Sequence, residues 1–407
     1  MLCAMSPLGS RVGGSRRGPA GGAKLTPGTR RPGARRPITT AIALAPLTAL
    51  AALSALAGCS GGRPGNGGAM PTPDPPIAAP DPHVRLIVFG DSITQGSAGD
   101  YTWRYRLAQH LTQTAPGRVD FVGDRADLWD NVTDAGGSRD YADPQFDSDH
   151  EARWGDALRL EVPKVERDLG RNPANVALVA LGANDLTYWT NAAQTLMLMR
   201  QFVEAARRAN PAITVVIGHV LTRWDPYTNS PALAAAADFN RLLDTQAAGW
   251  STPWSKVAVA RTDEGWDARQ DTWDGSHPDP DGEMLIARGF AKALAGLGIG
   301  GQFPAVPGGL PWPGTGSTPT VAPAGAGRYT LTWPRTPGAT DFLVERRIVS
   351  PAAEPGYTRL PGYIHGLTWT TEERTPGRVV AYRVIPVKFW MVGQPGPPVT
   401  FTAGTSG

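Results

Sequence analysis

Between residues 83 and 300, short apolar runs rich in β-branched residues alternate with longer stretches of helical character. The apolar runs cover residues 84–90, 118–123, 175–182, 212–220 and 256–261. The helix-like stretches cover residues 101–115, 155–170, 191–210, 232–249 and 281–298, and Pro163 limits the second of them to a short or interrupted helix. Strands that alternate with helices predict an α/β domain whose parallel sheet is covered on both faces and carries its chemistry at the carboxyl ends of the strands.

The pattern changes after residue 326. Residues 301–326 are rich in Pro, Gly and Thr and are predicted to form a linker. Residues 327–403 then contain short alternating segments punctuated by Pro and Gly, at 328–334, 339–349, 357–361, 367–373, 378–389 and 397–403. Several short strands in so few residues predict a small β-sandwich.

Residues 1–58 have the composition of a leader. They carry eight Lys and Arg side chains and no acidic ones, and they end in an uncharged apolar run at residues 38–57. A basic region, an apolar run and small residues at a cut site are typical of an export signal. Leu56-Ala57-Gly58-Cys59 resembles a bacterial lipobox, which implies cleavage before Cys59 and lipid on that cysteine. The alternative is a single-span anchor, since about 20 apolar residues can cross a bilayer.

Removing the leader changes the charge and the cysteine content. The whole chain has 39 basic and 36 acidic side chains, whereas without the leader 31 basic stand against 36 acidic, a net charge of −5. This removes the main reason to expect a nucleic-acid partner. Cys3 lies in the leader and Cys59 is the lipidation candidate, so the exported part has no pair for a disulfide, no cysteine nucleophile and no Cys-rich zinc site. Residues 59–82, rich in Gly and Pro, are predicted to form a tether, and Arg35-Arg36 leaves Sec and twin-arginine export both open.

The first strand runs directly into Gly90-Asp91-Ser92. A serine where a strand turns into a helix has two interpretations. It is an N-cap, the commonest use of serine there, or it is a nucleophile at a helix terminus that favours negative charge. The triplet alone does not decide between them.

Two further strand ends carry candidate oxyanion donors. The third strand is followed by Gly182-Ala183-Asn184-Asp185, where the Asn184 amide can donate to a developing oxyanion, although this is also ordinary turn composition. Gly155 offers an unshielded backbone N–H at the end of an acidic loop that contains His150. A metal site in that loop is an alternative, but its spacing does not match a helical His-Glu-x-x-His site.

The segment Trp273-Asp274-Gly275-Ser276-His277 lies far downstream, just ahead of a helix. An aspartate three residues before a histidine can accept a hydrogen bond from the imidazole Nδ1–H and leave Nε2 free as a general base. If the fold brings this loop beside Ser92, the three side chains form an acyl-transfer triad. The alternative for His277 is a surface turn histidine.

These blocks together resemble the SGNH/GDSL hydrolases, whose signature is a nucleophile Ser, an oxyanion Gly, an oxyanion Asn and a Asp-x-x-His pair. All four occur in the family's order over residues 84–300. The resemblance implies a flavodoxin-like, three-layer α/β/α sheet and ester hydrolysis without a metal or cofactor. A Gly-x-Ser-x-Gly elbow, the mark of an α/β-hydrolase, does not occur within residues 83–300. The one match in the sequence, Gly58-Cys59-Ser60-Gly61-Gly62, lies at the lipobox, outside the predicted domain.

The resemblance also implies the role of each residue. Ser92 is the nucleophile and an oxyanion donor, Gly155 and Asn184 complete the oxyanion hole, His277 is the general base and then the acid, and Asp274 orients it. One departure is that Ala152-Arg153-Trp154 precedes Gly155, where relatives often carry His-Glu-Gly.

The candidate substrate-lining residues are Asp91, Trp154 and Trp273, which flank the catalytic blocks. Indole rings stack on sugar faces, which favours a carbohydrate ester, whereas core packing explains most tryptophans equally well. The segment 279–282, Asp-Pro-Asp-Gly, is predicted to be a helix cap rather than a calcium site.

The final region resembles a fibronectin type III module, an immunoglobulin-like sandwich, through Leu331-Thr332-Trp333, residues 339–347 and Tyr382-Arg383-Val384. The resemblance suggests a spacer or a module that contacts a polymer or the cell wall.

The sequence therefore predicts an exported serine esterase, anchored to the outer face of the membrane through Cys59 or else secreted. Its substrate would be a small-molecule, lipid or acetylated polysaccharide ester. The alternative class is a non-catalytic cell-surface binding protein built on a hydrolase fold.

Overall fold

The structure, a computed structural model, describes residues 83–404. The predicted leader of residues 1–58, the lipidation candidate Cys59 and the tether of residues 59–82 lie outside the described residues. Within residues 83–404, none of the helices combines the length and the apolar character needed to span a membrane.

The first region alternates strands and helices as its sequence pattern predicts. In chain order its elements are β1 (Val84–Gly90), α1 (Ser92–Gln95), α2 (Trp103–Thr114), β2 (Val119–Val122), β3 (Leu128–Asp130), β4 (Ala135–Ser138), α3 (Leu158–Glu161), α4 (Val165–Arg171), β5 (Val176–Ala180), α5 (Ala183–Tyr188), α6 (Ala192–Ala209), β6 (Thr214–Gly218), β7 (Arg223–Asp225), β8 (Ser230–Ala232), α7 (Ala235–Gln246), a 3₁₀ helix (Ala247–Trp250), β9 (Val257–Ala260) and α8 (Pro280–Gly296).

Five strands form one parallel sheet in the order β2-β1-β5-β6-β9. They are the five apolar runs predicted from the sequence. Counted along the chain, their spatial order is 2-1-3-4-5, which is the order of flavodoxin-like folds. The prediction of a parallel α/β sheet is therefore confirmed.

Alternate residues of β1 contact different helical layers, because successive side chains of a strand point to opposite faces. Ile87 and Phe89 pack in the cluster that contains Phe202 of α6. Leu86 and Val88 pack in the cluster that contains residues of α2 and α8. The sheet is thus the middle of three layers, and its carboxyl edge is free to carry the site.

The long predicted helices are present, and Pro163 separates α3 from α4 as expected. Periodicity did not predict the short helices α1 and α5 or the hairpins β3–β4 and β7–β8. Elements of three to six residues are too short to establish a hydrophobic period. All four of these elements lie beside strand ends, where the site is built.

The second region consists of antiparallel strands. They are β10 (Thr320–Gly325), β11 (Arg328–Thr332), β12 (Asp341–Ser350), β13 (Thr358–Arg359), β14 (Thr368–Thr370), β15 (Val379–Lys388), β16 (Met391–Val392) and β17 (Val399–Thr402). They form a sheet β10-β11-β14 and a sheet β13-β12-β15-β16, with β17 also paired to β15. Leu331 of the first sheet and Phe342 and Val384 of the second lie in one hydrophobic cluster.

One boundary predicted from composition is wrong. The composition of residues 301–326 predicts a linker, but β10 in this segment pairs with β11, and Trp312 is buried in the cluster shared by the two β-sheets. The proline and glycine content of this segment therefore indicates irregular backbone and not a separate linker. The buried Trp312 side chain makes the segment part of the second region.

Candidate active site

Three predicted catalytic side chains meet at the carboxyl edge of the sheet. Ser92 Oγ lies 2.9 Å from His277 Nε2, although the two residues are 185 positions apart in the chain. His277 Nδ1 lies 2.7 Å from Asp274 Oδ2. The two distances make a continuous hydrogen-bonded chain from the serine hydroxyl to the carboxylate.

The loop that carries Asp274 and His277 is closed on itself. Asp274 Oδ1 accepts hydrogen bonds from the backbone N–H groups of Ser276 and His277, at 2.9 and 2.8 Å. Trp273 N donates to the His277 carbonyl at 3.0 Å. The carboxylate thus shapes the loop with one oxygen and orients the imidazole with the other.

Gly275 is required at the tip of this loop. Its φ is +89°, and a methyl group on its Cα would lie 2.0 Å from the Trp224 carbonyl oxygen. Trp224 N in turn donates to the Gly275 carbonyl at 2.7 Å. The hairpin β7–β8 therefore packs directly onto the catalytic loop, where only glycine fits.

The charge state of Asp274 defines the proton positions. Burial by itself raises its pKa, but the adjacent His277 and the two backbone N–H donors outweigh burial, and the net shift is downward. An ionised Asp274 only accepts hydrogen bonds, so the proton of the neutral imidazole is on Nδ1. His277 Nε2 is then the acceptor that faces Ser92 Oγ.

Aromatic rings hold both faces of the His277 imidazole. The Trp154 ring stacks on it with centroids 4.4 Å apart, and the Trp273 ring stacks on it at 5.0 Å, each with an interplanar angle of 18°. Trp129 extends the stack beyond Trp154, with centroids 5.3 Å apart. The rotation of the imidazole out of the triad plane is therefore sterically blocked.

The two tryptophans predicted to line the substrate site differ in exposure. Trp154 is partly exposed, and its backbone N–H donates to Gln95 Oε1 at 2.6 Å. Trp273 is only 2% exposed, because Phe389 and Lys388 of the second region cover the ring. Trp273 thus supports His277, and together with Trp154 it also borders the cavity beside Ser92. Its contact with substrate stays a prediction.

Asp91 is the N-cap of α1, the role that was one of the two interpretations of Ser92. Its Oδ1 accepts a hydrogen bond from Ile93 N at 3.0 Å at the start of α1, and the Ser92 hydroxyl is directed to His277 instead. Asp91 is 1% exposed, and its predicted contact with substrate stays a prediction. Burial raises the pKa of Asp91 to about 6, against the opposing effect of Arg223.

Asn184 is the second residue of α5, the helix that follows β5, and is buried. Its Nδ2 donates to the Asp156 carbonyl at 2.8 Å, and its Oδ1 accepts from Arg223 Nη2 at 3.2 Å. The amide nitrogen has two hydrogens, and the bond to Asp156 uses one of them. Sequence reasoning missed Arg223, which fixes the orientation of the amide.

Gly155 is exposed, with a φ of +77°, between Trp154 and Asp156. The preceding loop follows the end of β1, because Glu151 N donates to the Val88 carbonyl and Arg153 N to the Gly90 carbonyl. Despite the departure at Ala152-Arg153-Trp154, this loop therefore still lies beside β1, the strand that leads into Ser92. The N–H contact of Gly155 with an oxyanion stays a prediction.

His150 is not available to a metal. It is fully buried, its Nε2 lies 3.0 Å from the Asp127 carbonyl, and its Nδ1 accepts a hydrogen bond from Ala152 N at 3.0 Å. Burial holds its pKa well below the usual value. Within residues 83–404, no group of three or more His, Cys, Asp or Glu side chains is arranged to hold a metal ion.

Two further residues that support the segment carrying the nucleophile, Gln95 and Arg104, were not predicted from the sequence. Gln95, at the end of α1, holds the Trp154 backbone. Arg104 of α2 is buried and donates to the Thr94 and Gln95 carbonyls at 2.9 and 3.2 Å. Both are polar residues on otherwise buried turns, and only their contacts reveal a role.

Asp279 caps α8, as predicted for the segment 279–282. Its Oδ1 accepts hydrogen bonds from Asp281 N and Gly282 N at 3.0 and 2.9 Å. Pro280 occupies the first turn, where its missing N–H costs no helical hydrogen bond. This cap starts the helix immediately after His277 and fixes where the catalytic loop ends.

Residues 88–285 match the model of the GDSL-like lipase/acylhydrolase family. They therefore form a domain of that family, an SGNH-type ester hydrolase domain. The comparison with curated proteins gave no match.

Solved structures similar to this chain include a carbohydrate esterase family 3 protein from Talaromyces cellulolyticus (24% identity, 53% of this chain and 97% of that chain, TM-score 0.45). A family 3 carbohydrate esterase from Clostridium thermocellum is similar over 53% of this chain and 96% of that chain (21% identity, TM-score 0.42). An acetyl-xylooligosaccharide esterase from Geobacillus Stearmophilus is similar over 52% of this chain and 94% of that chain (15% identity, TM-score 0.37).

The raised pKa of Asp91 predicts a pH-dependent effect of Asp91→Asn. As pH rises from 3.8 to about 6, the unfolded chain ionises Asp91 while the folded chain keeps the proton, so Asp91 lowers the free energy of unfolding over this window. Asparagine caps a helix as well as aspartate does but does not ionise. We therefore expect the free energy of unfolding of the variant, relative to that of wild type, to increase by about 1–3 kcal/mol as pH rises from 4 to 7. Urea unfolding at a series of pH values measures this difference.

Asp134→Asn is the matched control, because Asp134 is exposed. Its difference from wild type is expected to stay constant over the same pH range. An equally constant difference for Asp91→Asn would contradict the raised pKa.

Proposed function

We propose that this chain is an exported serine esterase that hydrolyses carboxylic esters through an acyl-enzyme. The observation that carries the proposal is the hydrogen-bonded chain from Ser92 Oγ through His277 to Asp274, at 2.9 and 2.7 Å. Both distances are within the range required for a nucleophile and its base.

In the first half of the reaction, Ser92 Oγ attacks the ester carbonyl carbon while His277 Nε2 takes the hydroxyl proton. The negative charge moves to the carbonyl oxygen. The donors proposed to stabilise it are the backbone N–H groups of Ser92 and Gly155 and the Asn184 amide. When the tetrahedral intermediate collapses, the bond to the alcohol oxygen breaks, and His277 returns its proton to that oxygen.

In the second half, water attacks the acyl carbon and His277 Nε2 takes its proton. The new tetrahedral intermediate expels Ser92 Oγ, which recovers the proton from His277, and the carboxylic acid leaves. Asp274 stays ionised throughout and stabilises the imidazolium that forms in each half. Its lowered pKa suits that role.

We propose that the acyl group is short. The space beside the triad is bounded by Ser92, Gly96 and His277 and narrowed by the Trp154 and Trp273 rings. Ser92 is only 7% exposed, so little room is left beside it for a long acyl chain. The partly exposed edge of the Trp154 ring, next to His277, offers an apolar contact for an acetylated sugar, whereas a lipid alcohol is the alternative leaving group.

We predict that Ser92→Ala abolishes hydrolysis of p-nitrophenyl acetate while the thermal unfolding temperature stays close to that of wild type. The reason is that the variant lacks the attacking oxygen but keeps the fold. Loss of the nucleophile typically lowers kcat by about 10⁶-fold. Ser230→Ala, on the hairpin β7–β8, is the control and should retain wild-type turnover.

Wild-type turnover by Ser92→Ala would contradict the proposed nucleophile. A wild-type protein that hydrolyses none of a panel of acetyl, butyryl and longer esters would support the non-catalytic binding protein instead.

Asn184→Ala tests the oxyanion hole. We expect kcat for p-nitrophenyl acetate to fall by about 10²–10³-fold, because the lost donor stabilises the transition state more than the bound substrate. KM should change much less. Asn184→Asp keeps the size and the acceptor for Arg223 but removes the donor, so it should lose activity to at least the same extent. Near wild-type activity in Asn184→Asp would argue against donation by this amide.

We also propose that the chain is exported and held to the membrane by lipid on Cys59, with the second region acting as a fibronectin type III-like spacer or polymer-binding module. The support is the basic and apolar leader followed by the tetrapeptide that ends in Cys59. A single-span anchor is the alternative.

Cys59→Ala separates the two kinds of anchor. Lipidation predicts that the variant leaves the membrane fraction or keeps its uncleaved leader, as seen by fractionation and the mass of the mature chain. A single-span anchor predicts that the wild-type protein and the variant fractionate alike and differ in mass only by the sulfur atom that the substitution removes.

A further inference from the structure

Lys388, at the end of β15, is a lysine with no exposed side-chain surface. Its Nζ lies 2.5 Å from Asp100 Oδ2 and 3.5 Å from the Ala98 carbonyl oxygen. The same Nζ lies 4.7 Å from the centroid of the Trp273 ring, at cation–π distance. All of these partners belong to the hydrolase region. The ammonium group of Lys388, a residue of the second region, is therefore paired with groups of the hydrolase region.

Those partners flank the catalytic residues on both sides. Ala98 and Asp100 lie in the turn that follows α1, the helix that begins with Ser92. Trp273 immediately precedes Asp274, and its ring stacks on His277. Lys388 therefore bridges the segment after the nucleophile and the segment that carries the base.

The bridge is mutual, because Asp100 is buried as well. Its second oxygen, Oδ1, accepts a hydrogen bond from Trp312 Nε1 at 3.1 Å, so both carboxylate oxygens are satisfied by the second region. A buried charge is tolerated only when it is paired and hydrogen-bonded. Displacement of the second region would leave Asp100 and Lys388 both without these partners.

Neighbouring contacts hold the boundary close. The Phe389 ring packs on Trp273 with centroids 4.9 Å apart, and Trp390 Nε1 donates to the Thr272 carbonyl at 2.9 Å. Two glycines with positive φ face each other nearby. A methyl group on Gly99 would lie 2.3 Å from the Pro337 carbonyl oxygen, and one on Gly338 would lie 2.1 Å from the Ala98 carbonyl oxygen.

We propose that Lys388 is a positioning residue for the esterase reaction. It holds Trp273 against the imidazole and thereby keeps His277 Nε2 directed at Ser92. The second region is then part of the catalytic apparatus rather than a spacer alone. This inference rests on the proposed Ser92–His277–Asp274 mechanism.

The test compares Lys388→Met with Lys292→Met in the full chain, using p-nitrophenyl acetate. Methionine keeps the length of the side chain but removes the cation. Lys292 is a partly exposed lysine of α8 that pairs with Glu264, which makes it the matched control. We expect kcat of Lys388→Met to fall about tenfold or more with little change in KM, because small misplacements of a reacting group cost up to about 10²-fold. Lys292→Met should keep wild-type values.

A spectroscopic readout separates positioning from general stability. The His277 Nδ1 proton, bonded to Asp274, gives a low-field proton NMR signal, which should shift or broaden in Lys388→Met and stay unchanged in Lys292→Met. An unchanged signal together with wild-type kcat in Lys388→Met would overturn the proposal.

If Lys388→Met does not fold, Lys388→Met/Asp100→Asn removes both buried charges. A lowered kcat in the folded double variant supports positioning by Lys388, and a wild-type kcat overturns it. Ser92→Ala is measured alongside. Turnover by Ser92→Ala would remove the mechanism on which the inference rests, whereas an inactive Ser92→Ala with a fully active Lys388→Met would overturn the positioning role alone.

Discussion

The hydrogen bond from His277 Nδ1 to Asp274 Oδ2, 2.7 Å long, is the interaction on which the site depends. It fixes the tautomer of the imidazole and turns Nε2 towards Ser92. The same carboxylate shapes the loop through its other oxygen, and the aspartate is kept ionised by these contacts. Trp154 and Trp273 then confine the ring between two parallel faces. The Asp274 carboxylate therefore both orients the catalytic imidazole and fixes the conformation of the loop that carries it.

The parallel sheet explains why residues so far apart in the chain converge. Ser92 follows β1, Asn184 follows β5, and the catalytic loop precedes α8, so all three reach the same carboxyl edge. The second region completes this edge from outside by packing Lys388 and Phe389 on Trp273. The second region thus reaches the triad through Trp273, whose ring stacks on His277.

The strands of the sheet and the triad were predictable because each has a strong local signal. Apolar runs of β-branched residues mark buried parallel strands, and the spacing of Asp274 and His277 suits a direct hydrogen bond. The supporting residues Arg104, Arg223 and Lys388 had no such signal, since a buried cation is recognised only by partners that are distant in sequence. The burial of Trp273 was not predictable for the same reason, because its cover comes from Phe389, more than a hundred positions downstream.

Covalent labelling with a fluorophosphonate tests the central claim most directly, because it reports the activated hydroxyl without any assumption about the natural ester. The account predicts one adduct, located on Ser92 by mass spectrometry of the digested protein. Replacement of the base by His277→Ala should slow its formation by at least about 10²-fold. An adduct on another residue, or labelling of His277→Ala at the wild-type rate, would contradict the account.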